Sequence, residues 1–251
     1  MTQEPEFLET PSGRLIAFRR SEGQGPGTVF LGGFMSDMEG TKAVHLEARA
    51  RAEGRAFLRF DYSGHGASSE EFTAGCISDW AEDAAAVIEA CTDGKQILVG
   101  SSMGGWIALL LAKRMPERVA GLVTIAAAPD FTEDSMWAGM NEIERAKLMR
   151  EGKILRPSDY DAPYQITRKL IEDGRRNLVL RDPLDLPFPV RFLQGTADLD
   201  VDKSVALSLL DHVRGDDMRL TLVDGADHRF SDPDCLALID ASVAEVAARA
   251  V

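Results

Sequence analysis

The strongest chemical signal in this sequence is a serine flanked by glycines. Gly100, Ser102 and Gly104 form a Gly-x-Ser-x-Gly pattern between a short apolar run and a segment with helical spacing of apolar residues. A serine on so sharp a strand-to-helix turn needs small neighbours, because a Cβ atom at either glycine would meet the adjoining strand or helix. Its hydroxyl would project at a helix N-terminus, where free amides stabilise negative charge. The pattern predicts that Ser102 is a nucleophile and that neighbouring Ser101 is structural.

A serine nucleophile requires two further side chains. Its hydroxyl is weakly nucleophilic near neutral pH, so it needs a base, and the base needs a carboxylate that orients it. Of the four histidines, His228 follows an apolar run in a loop near the C-terminus, and we predict that it is the base. Asp198 follows the preceding apolar run and is the predicted acid. The order Ser102, Asp198, His228 differs from the orders of the chymotrypsin and subtilisin families.

Two competing assignments stay open for these roles. Asp200 lies close enough to Asp198 in the chain to serve as the acid, although it and Asp202 also suit the cap of a following helix. His65 lies in a glycine-rich turn before the serine, and we expect it to be structural or to line a pocket.

Acyl transfer also requires amide donors for the tetrahedral oxyanion. We predict two donors, the N–H of Met103, directly after the nucleophile, and the N–H of Phe34, in a loop that follows two glycines. Met35, Trp137 and Met140 fall near that loop or in a segment with helical spacing. Thioether and aromatic side chains adapt to apolar ligands, so we expect these three to contact the substrate.

Short apolar runs alternate with segments of helical spacing along the chain. The runs cover residues 28–31, 57–60, 97–99, 122–126, 190–193 and 220–223, and the helical segments include 78–90, 106–114, 203–213 and 234–250. This alternation predicts an α/β fold with a mostly parallel sheet, covered by helices on both faces and preceded by a hairpin around residues 11–13. The stretch at about 131–186 has helical patterns at 133–151 and 163–172 but no clear core strand. We therefore expect one domain over residues 1–251, with a helical cap inserted at about 131–186.

Composition and residue spacing argue against nucleic acid, metal and membrane-spanning segments. Lys and Arg total 28 against 41 Asp and Glu, and the formal net charge of −13 disfavours nucleic acid. The three cysteines lack the paired spacing of a zinc site, and we expect neither a metal nor another cofactor. No apolar run approaches the roughly 20 residues of a membrane-spanning helix. The N-terminal residues resemble neither a signal peptide nor a transit peptide, so we expect a cytoplasmic protein, and the sequence does not specify its oligomeric state.

Together these motifs resemble the α/β-hydrolase superfamily over the whole chain. More narrowly, residues 33–43, 61–66 and 100–106 are similar to the subgroup that contains the mitochondrial palmitoyl-protein thioesterases, also described as acyl-glucuronide esterases. The resemblance implies hydrolysis of oxyesters or thioesters, with Ser102, Asp198 and His228 at the triad positions. Because the N-terminal residues do not resemble a transit peptide, we expect a bacterial-type, non-organellar relative of this subgroup.

The sequence thus predicts a serine hydrolase that forms an acyl-enzyme on Ser102 from a small-molecule or acylated-protein ester or thioester. Two alternatives remain open. A peptidase or aminopeptidase on the same scaffold would need acidic groups to hold a substrate amine, and Glu133, Asp134 and Glu144 are candidates. The other alternative is a non-catalytic ligand-binding homologue, although such proteins usually lack a triad residue and all three are present here.

Overall fold

A computed structural model of the protein describes residues 4–157 and 163–250. The strands within these residues are β1 (Glu6–Glu9), β2 (Leu15–Ser21), β3 (Gln24–Leu31), β4 (Arg55–Phe60), β5 (Gln96–Ser101), β6 (Val119–Ile125), β7 (Lys153–Arg156), β8 (Tyr164–Thr167), β9 (Leu184–Asp185), β10 (Val190–Gly195), β11 (Val213–Arg214) and β12 (Met218–Val223). The α-helices are α1 (Thr41–Ala52), α2 (Ile77–Cys91), α3 (Met103–Arg114), α4 (Glu142–Glu151), α5 (Arg168–Gly174), α6 (Lys203–His212) and α7 (Pro233–Arg249). Short 3-10 turns span Phe72–Ala74 and Pro116–Arg118, and a π-helical turn spans Thr132–Trp137.

Eight of these strands form one sheet in the order β1-β2-β4-β3-β5-β6-β10-β12. β2 pairs antiparallel with β1 and with β4, while every pair from β4 to β12 is parallel. The mostly parallel sheet and the N-terminal hairpin that the sequence predicts are confirmed. Because parallel strands end at the same edge of a sheet, the loops after β3, β5, β10 and β12 converge there.

Helices cover both faces of the sheet. Every residue of β5 and β6 is buried, so both faces of these strands need an apolar cover. On one face α2 and α3 contribute Trp80 and Trp106, and on the other α1 and α7 contribute Leu46 and Ile239. The two cores hold the strand ends in fixed positions, which gives the loops at the sheet edge a rigid base.

The chain between β6 and β10 forms an insertion that is not purely helical. The single helix predicted at 133–151 is instead a π-helical turn followed by α4. The two are separate because α4 begins at its cap Asn141, which accepts the Glu144 N–H at 2.9 Å. Residues predicted as the start of the second helix form β8 instead, and β8 pairs antiparallel with β7. These two details of the expected cap were therefore wrong. The proposed single domain with an inserted cap at about 131–186 stays a prediction.

The insertion has its own small core, and a buried carboxylate joins its two ends. Its core contains Met140, Leu148, Ile154, Ile166 and Ile171. The fully buried Asp130, before the π-helical turn, accepts the N–H of Val179 at 2.8 Å and the N–H of Leu180 at 3.0 Å. The two ends of residues 131–178 are thus held next to each other.

Within the described residues, no helix combines the length and the hydropathy needed to cross a bilayer. The three cysteines are free thiols, two of them buried. The cytoplasmic location stays a prediction.

Candidate active site

Ser102 lies on a strained turn between β5 and α3. Its backbone angles are φ 54° and ψ −119°, a conformation that L-residues rarely adopt outside functional turns. The turn is tight enough that a Cβ atom on Gly100 would lie 2.4 Å from the Gly104 carbonyl oxygen. A Cβ atom on Gly104 would lie 2.0 Å from the Leu31 carbonyl oxygen. Glycine is therefore required at both positions, as the sequence pattern predicts for a nucleophile elbow.

The structure brings the three predicted catalytic side chains together at the sheet edge. His228, in the loop after β12, has its Nε2 atom 3.1 Å from the Ser102 hydroxyl oxygen. Its Nδ1 atom lies 2.9 Å from Oδ2 of Asp198, in the loop after β10. Because a carboxylate only accepts hydrogen bonds, Nδ1 carries the proton and Nε2 is left to accept one from the serine. This arrangement can transfer a proton from the serine hydroxyl to the imidazole.

The surroundings of Asp198 keep it ionised. Burial acts to raise its pKa, but the hydrogen bonds from His228, the Val201 N–H and the Gln194 amide outweigh burial, so the pKa of Asp198 lies below its usual value. The Val201 N–H lies 2.8 Å from Oδ1 and the Gln194 amide nitrogen 2.9 Å from Oδ2. An anionic carboxylate at this place stabilises the imidazolium that forms when His228 accepts a proton.

The alternative acids have other positions. Asp202 caps α6 by accepting the Ser204 N–H at 2.8 Å. Asp200 donates its own N–H to Asp198 at 2.9 Å. Asp198, Asp200 and His228 each offer a ligand atom within 4.8 Å of the others, which is the spacing of a metal site. Asp198 and His228 hydrogen bond each other directly, so this pair can serve proton transfer.

The two predicted oxyanion donors flank the nucleophile. Met103 is the first residue of α3, so its N–H has no acceptor within the helix. Phe34 follows β3 in the loop beside the elbow, and it lines the cavity that contains Ser102 and His228. In the described part of the chain, neither the Phe34 N–H nor the Met103 N–H has a hydrogen-bond acceptor. Both amides are available for a developing oxyanion.

Two cavities meet at Ser102 and His228. The larger, of about 790 Å³, lies between the sheet edge and the insertion. Its walls include apolar side chains from both parts of the fold: Phe34, Phe131, Met136, Ile166, Val201 and Val205. The smaller, of about 240 Å³, lies along the loop after β3 and is lined by Met35, Ser36, Asp37 and Lys42 among others. The catalytic group therefore has separate space on two sides.

Of the three predicted substrate-contacting residues, the structure places one in a cavity and two outside both cavities. Met35 lines the smaller cavity. Trp137 and Met140 line neither cavity among the residues that are described: Met140 is 4% exposed in the core of the insertion. The Trp137 ring is instead covered by the guanidinium groups of Arg145 and Arg175, at 5.0 and 4.6 Å from its centroid. From the π-helical turn, Met136 lines the larger cavity together with Asp134 and Ser135.

Two residues of the site were not singled out from the sequence. Gln194 is completely buried near the end of β10 and donates to Asp198, and its signal is a polar residue at the end of an apolar run, four residues before the predicted acid. Tyr164 lines both cavities, and its ring lies 5.9 Å from that of Phe34. The helical spacing at 163–172 gives no indication of Tyr164 as a site residue, because the start of that segment is strand β8.

Comparisons with known proteins agree with this geometry. The profile of the alpha/beta hydrolase fold matches residues 31–150. The mitochondrial palmitoyl-protein thioesterase ABHD10 of Rattus norvegicus is 33% identical over 228 residues, which is 90% of this chain and 76% of the relative. The chain belongs to the α/β-hydrolase superfamily. The human ABHD10 protein is 32% identical over 235 residues, 93% of this chain and 76% of that protein.

Solved structures of this superfamily are similar over nearly the full length. A putative hydrolase from Agrobacterium vitis has a TM-score of 0.93 and 40% identity, covering 97% of this chain and 98% of that one. Mouse ABHD10 has a TM-score of 0.89 and 29% identity, with coverage of 97% and 98%. The predicted resemblance to the palmitoyl-protein thioesterase subgroup is confirmed. The chain is thus similar over nearly its whole length to proteins named as hydrolases and thioesterases.

Proposed function

We propose that this protein is a serine hydrolase that cleaves carboxylic esters or thioesters through an acyl-enzyme on Ser102. The observation that carries the proposal is the continuous hydrogen-bonded chain from the Ser102 hydroxyl through His228 to Asp198, placed on a nucleophile elbow. Each of these residues comes from a different loop, so only the folded protein assembles them.

The reaction runs in two halves that use the same groups. His228 Nε2 takes the hydroxyl proton as Ser102 Oγ bonds to the carbonyl carbon, and the oxyanion accepts hydrogen bonds from the N–H groups of Phe34 and Met103. Collapse breaks the bond to the leaving alcohol or thiol, which receives the proton from His228. Water then attacks the acyl-enzyme with His228 again as base, and the carboxylic acid is released.

The larger cavity suits the acyl group. Its volume of about 790 Å³ and its apolar walls from Phe131, Met136 and Ile166 can enclose a medium or long alkyl chain. The names of the ABHD10 relatives, palmitoyl-protein thioesterases, support a long acyl chain. The acyl donor is a small molecule or an acylated protein.

The peptidase alternative loses its acidic candidates. A substrate amine would need a carboxylate without a cationic partner, but Glu133, Asp134 and Glu144 pair with arginines, namely Arg175, Arg181 and Arg156. Paired charges attract an ammonium group weakly, so nothing in these side chains favours the peptidase reaction.

Active-site labelling tests the proposal with a matched pair of serines. A fluorophosphonate probe should label the wild-type protein and a Ser101→Ala variant, because the hydrogen bond of His228 goes to Ser102 and not to its neighbour Ser101. It should not label Ser102→Ala, and the same variant should lose turnover of short p-nitrophenyl esters and acyl thioesters. Equal labelling of Ser102→Ala and wild type would reject the assignment. Absence of turnover in a fully labelled wild type would favour a non-catalytic role.

A further inference from the structure

The loop that supplies the Phe34 amide is tied to the segment that follows β4. The Met35 N–H donates to Nε2 of His65 at 3.2 Å. Three residues later, the Met38 N–H donates to the buried Asp61 carboxylate at 2.6 Å. Met35 has a positive φ of 57°, which a methionine does not hold without support. The loop is thus kept in an unfavourable backbone conformation by two side chains from one neighbouring segment.

The hydrogen bonds of His65 define which of its nitrogens accepts. Its Nδ1 atom lies 3.2 Å from the Ser63 carbonyl oxygen, and since a carbonyl only accepts, Nδ1 carries the hydrogen. Nε2 then has a free lone pair for the Met35 N–H. His65 is 4% exposed, and burial lowers its pKa to about 4, so the ring stays neutral near neutral pH.

Ring packing fixes His65 and Phe34 on the same support. The His65 ring meets Phe72 and Trp80 edge to face, with centroids 5.1 and 5.2 Å away. The Phe34 ring packs on the same two residues, at 5.0 and 6.0 Å. The side chain of Phe34 and the peptide that follows it are therefore both held, which limits the backbone freedom of Phe34.

We infer that His65 is a positioning residue: by accepting the Met35 N–H, it holds the oxyanion loop so that the Phe34 N–H points at the substrate oxyanion. The inference rests on the proposed function of the site. Because the Met35 N–H donates to His65, it does not compete for the substrate oxyanion, and the Phe34 N–H remains the oxyanion donor of this loop. Because the oxyanion exists only in the transition state and the tetrahedral intermediates, loosening the loop acts on kcat and leaves ground-state binding almost unchanged.

Two substitutions at this position separate the hydrogen bond from mere packing. His65→Asn keeps a group near Nδ1 for the Ser63 carbonyl but has no atom that reaches the Met35 N–H. His65→Gln places its side-chain oxygen near the position of Nε2 and can still accept. A control is Ser21→Ala, at the end of β2 and outside both cavities, which removes the 2.9 Å hydrogen bond from the Ser21 hydroxyl to the buried Glu47.

The expected results differ among the three variants. A single oxyanion donor accounts for roughly 100- to 1000-fold in kcat, so a misdirected one in His65→Asn should lower kcat by about 10- to 100-fold with KM within about threefold of wild type. Its affinity for an alkyl boronic acid, which forms a tetrahedral adduct on the serine, should weaken by a similar factor. His65→Gln should recover most of both losses. Ser21→Ala should lower the melting temperature and leave kcat unchanged.

Several outcomes would overturn the inference. A folded His65→Asn with kcat within about twofold of wild type, or equal losses in His65→Asn and His65→Gln, would remove the role of the hydrogen bond. If neither variant folds, ¹⁵N NMR of wild-type histidines decides, because a protonated Nε2 on His65 at neutral pH would leave no acceptor. The proposed function fails separately, when the fluorophosphonate probe does not label wild type at Ser102.

Discussion

Unfolding measurements on His65→Gln can determine how strongly the fold opposes protonation of this imidazole. Burial lowers the pKa of His65 from 6.5 to about 4 in the folded protein. Below about pH 6.5 the unfolded chain binds a proton that the folded protein does not, so stability is complete above that pH and falls as the pH drops toward 4. One pKa unit corresponds to about 1.4 kcal/mol. The loss from this group is therefore about 2 kcal/mol at pH 5 and about 3 kcal/mol below the folded pKa.

The assay compares urea unfolding of wild type and His65→Gln, followed by tryptophan fluorescence, near pH 7.5 and near pH 5. Between these values wild type should lose about 2 kcal/mol more than the variant, since glutamine does not titrate. The nearby Asp61 carboxyl, whose pKa burial raises, is present in both proteins and cancels in the comparison. Equal losses in the two proteins would show that His65 is not held neutral by burial, and would refute the reasoning.

Three further substitutions test other parts of the site. Asp198→Asn should lower kcat by about 1000- to 10,000-fold, because the amide favours the wrong imidazole tautomer. The control Asp202→Asn, at the cap of α6, should retain activity. Steady-state kinetics of both variants tests this prediction. Met136→Trp should place an indole in the larger cavity and reduce kcat/KM for long acyl chains by about 10- to 100-fold relative to acetyl esters, measured on a chain-length series; an unchanged preference would place the acyl chain elsewhere. Gly104→Ala, whose Cβ atom would lie 2.0 Å from the Leu31 carbonyl oxygen, should yield little folded protein, as judged by circular dichroism.

Local sequence signals were sufficient for the sheet and for the positions of Ser102, Asp198 and His228. Strands β5 and β6 are buried on both faces and therefore read as continuous apolar runs, which few other structures produce. The glycines around Ser102 are fixed by close backbone contacts, so their spacing is visible without coordinates. Because parallel strands deliver their loops to one edge, residues distant in the chain could be expected to meet.

The insertion was harder to predict for reasons that lie in its packing. Helical spacing places Met136, Trp137 and Met140 on an element, but it does not show which of them faces a cavity and which faces a neighbouring core. A π-helical turn at Thr132–Trp137 changes the residue spacing further. Strand β7 is only four residues long and mostly exposed, so its apolar signal is weak. The contacts of His65 with Met35 depend on the loop after β3, which no periodicity describes.

The hydrogen bonds of Asp130 make the insertion a unit that can be exchanged. The Asp130 carboxylate accepts hydrogen bonds from the N–H groups of Val179 and Leu180. The first and last of the roughly fifty intervening residues are therefore held close together. Changes of length or sequence between these points should leave β6 and β10 in place, provided that Asp173, which accepts from Ser78, and Asn177, whose carbonyl accepts from Trp106, are kept. We expect that segments 131–178 from related hydrolases can be transplanted onto this sheet, altering acyl-chain preference while the proton-transfer machinery keeps its geometry.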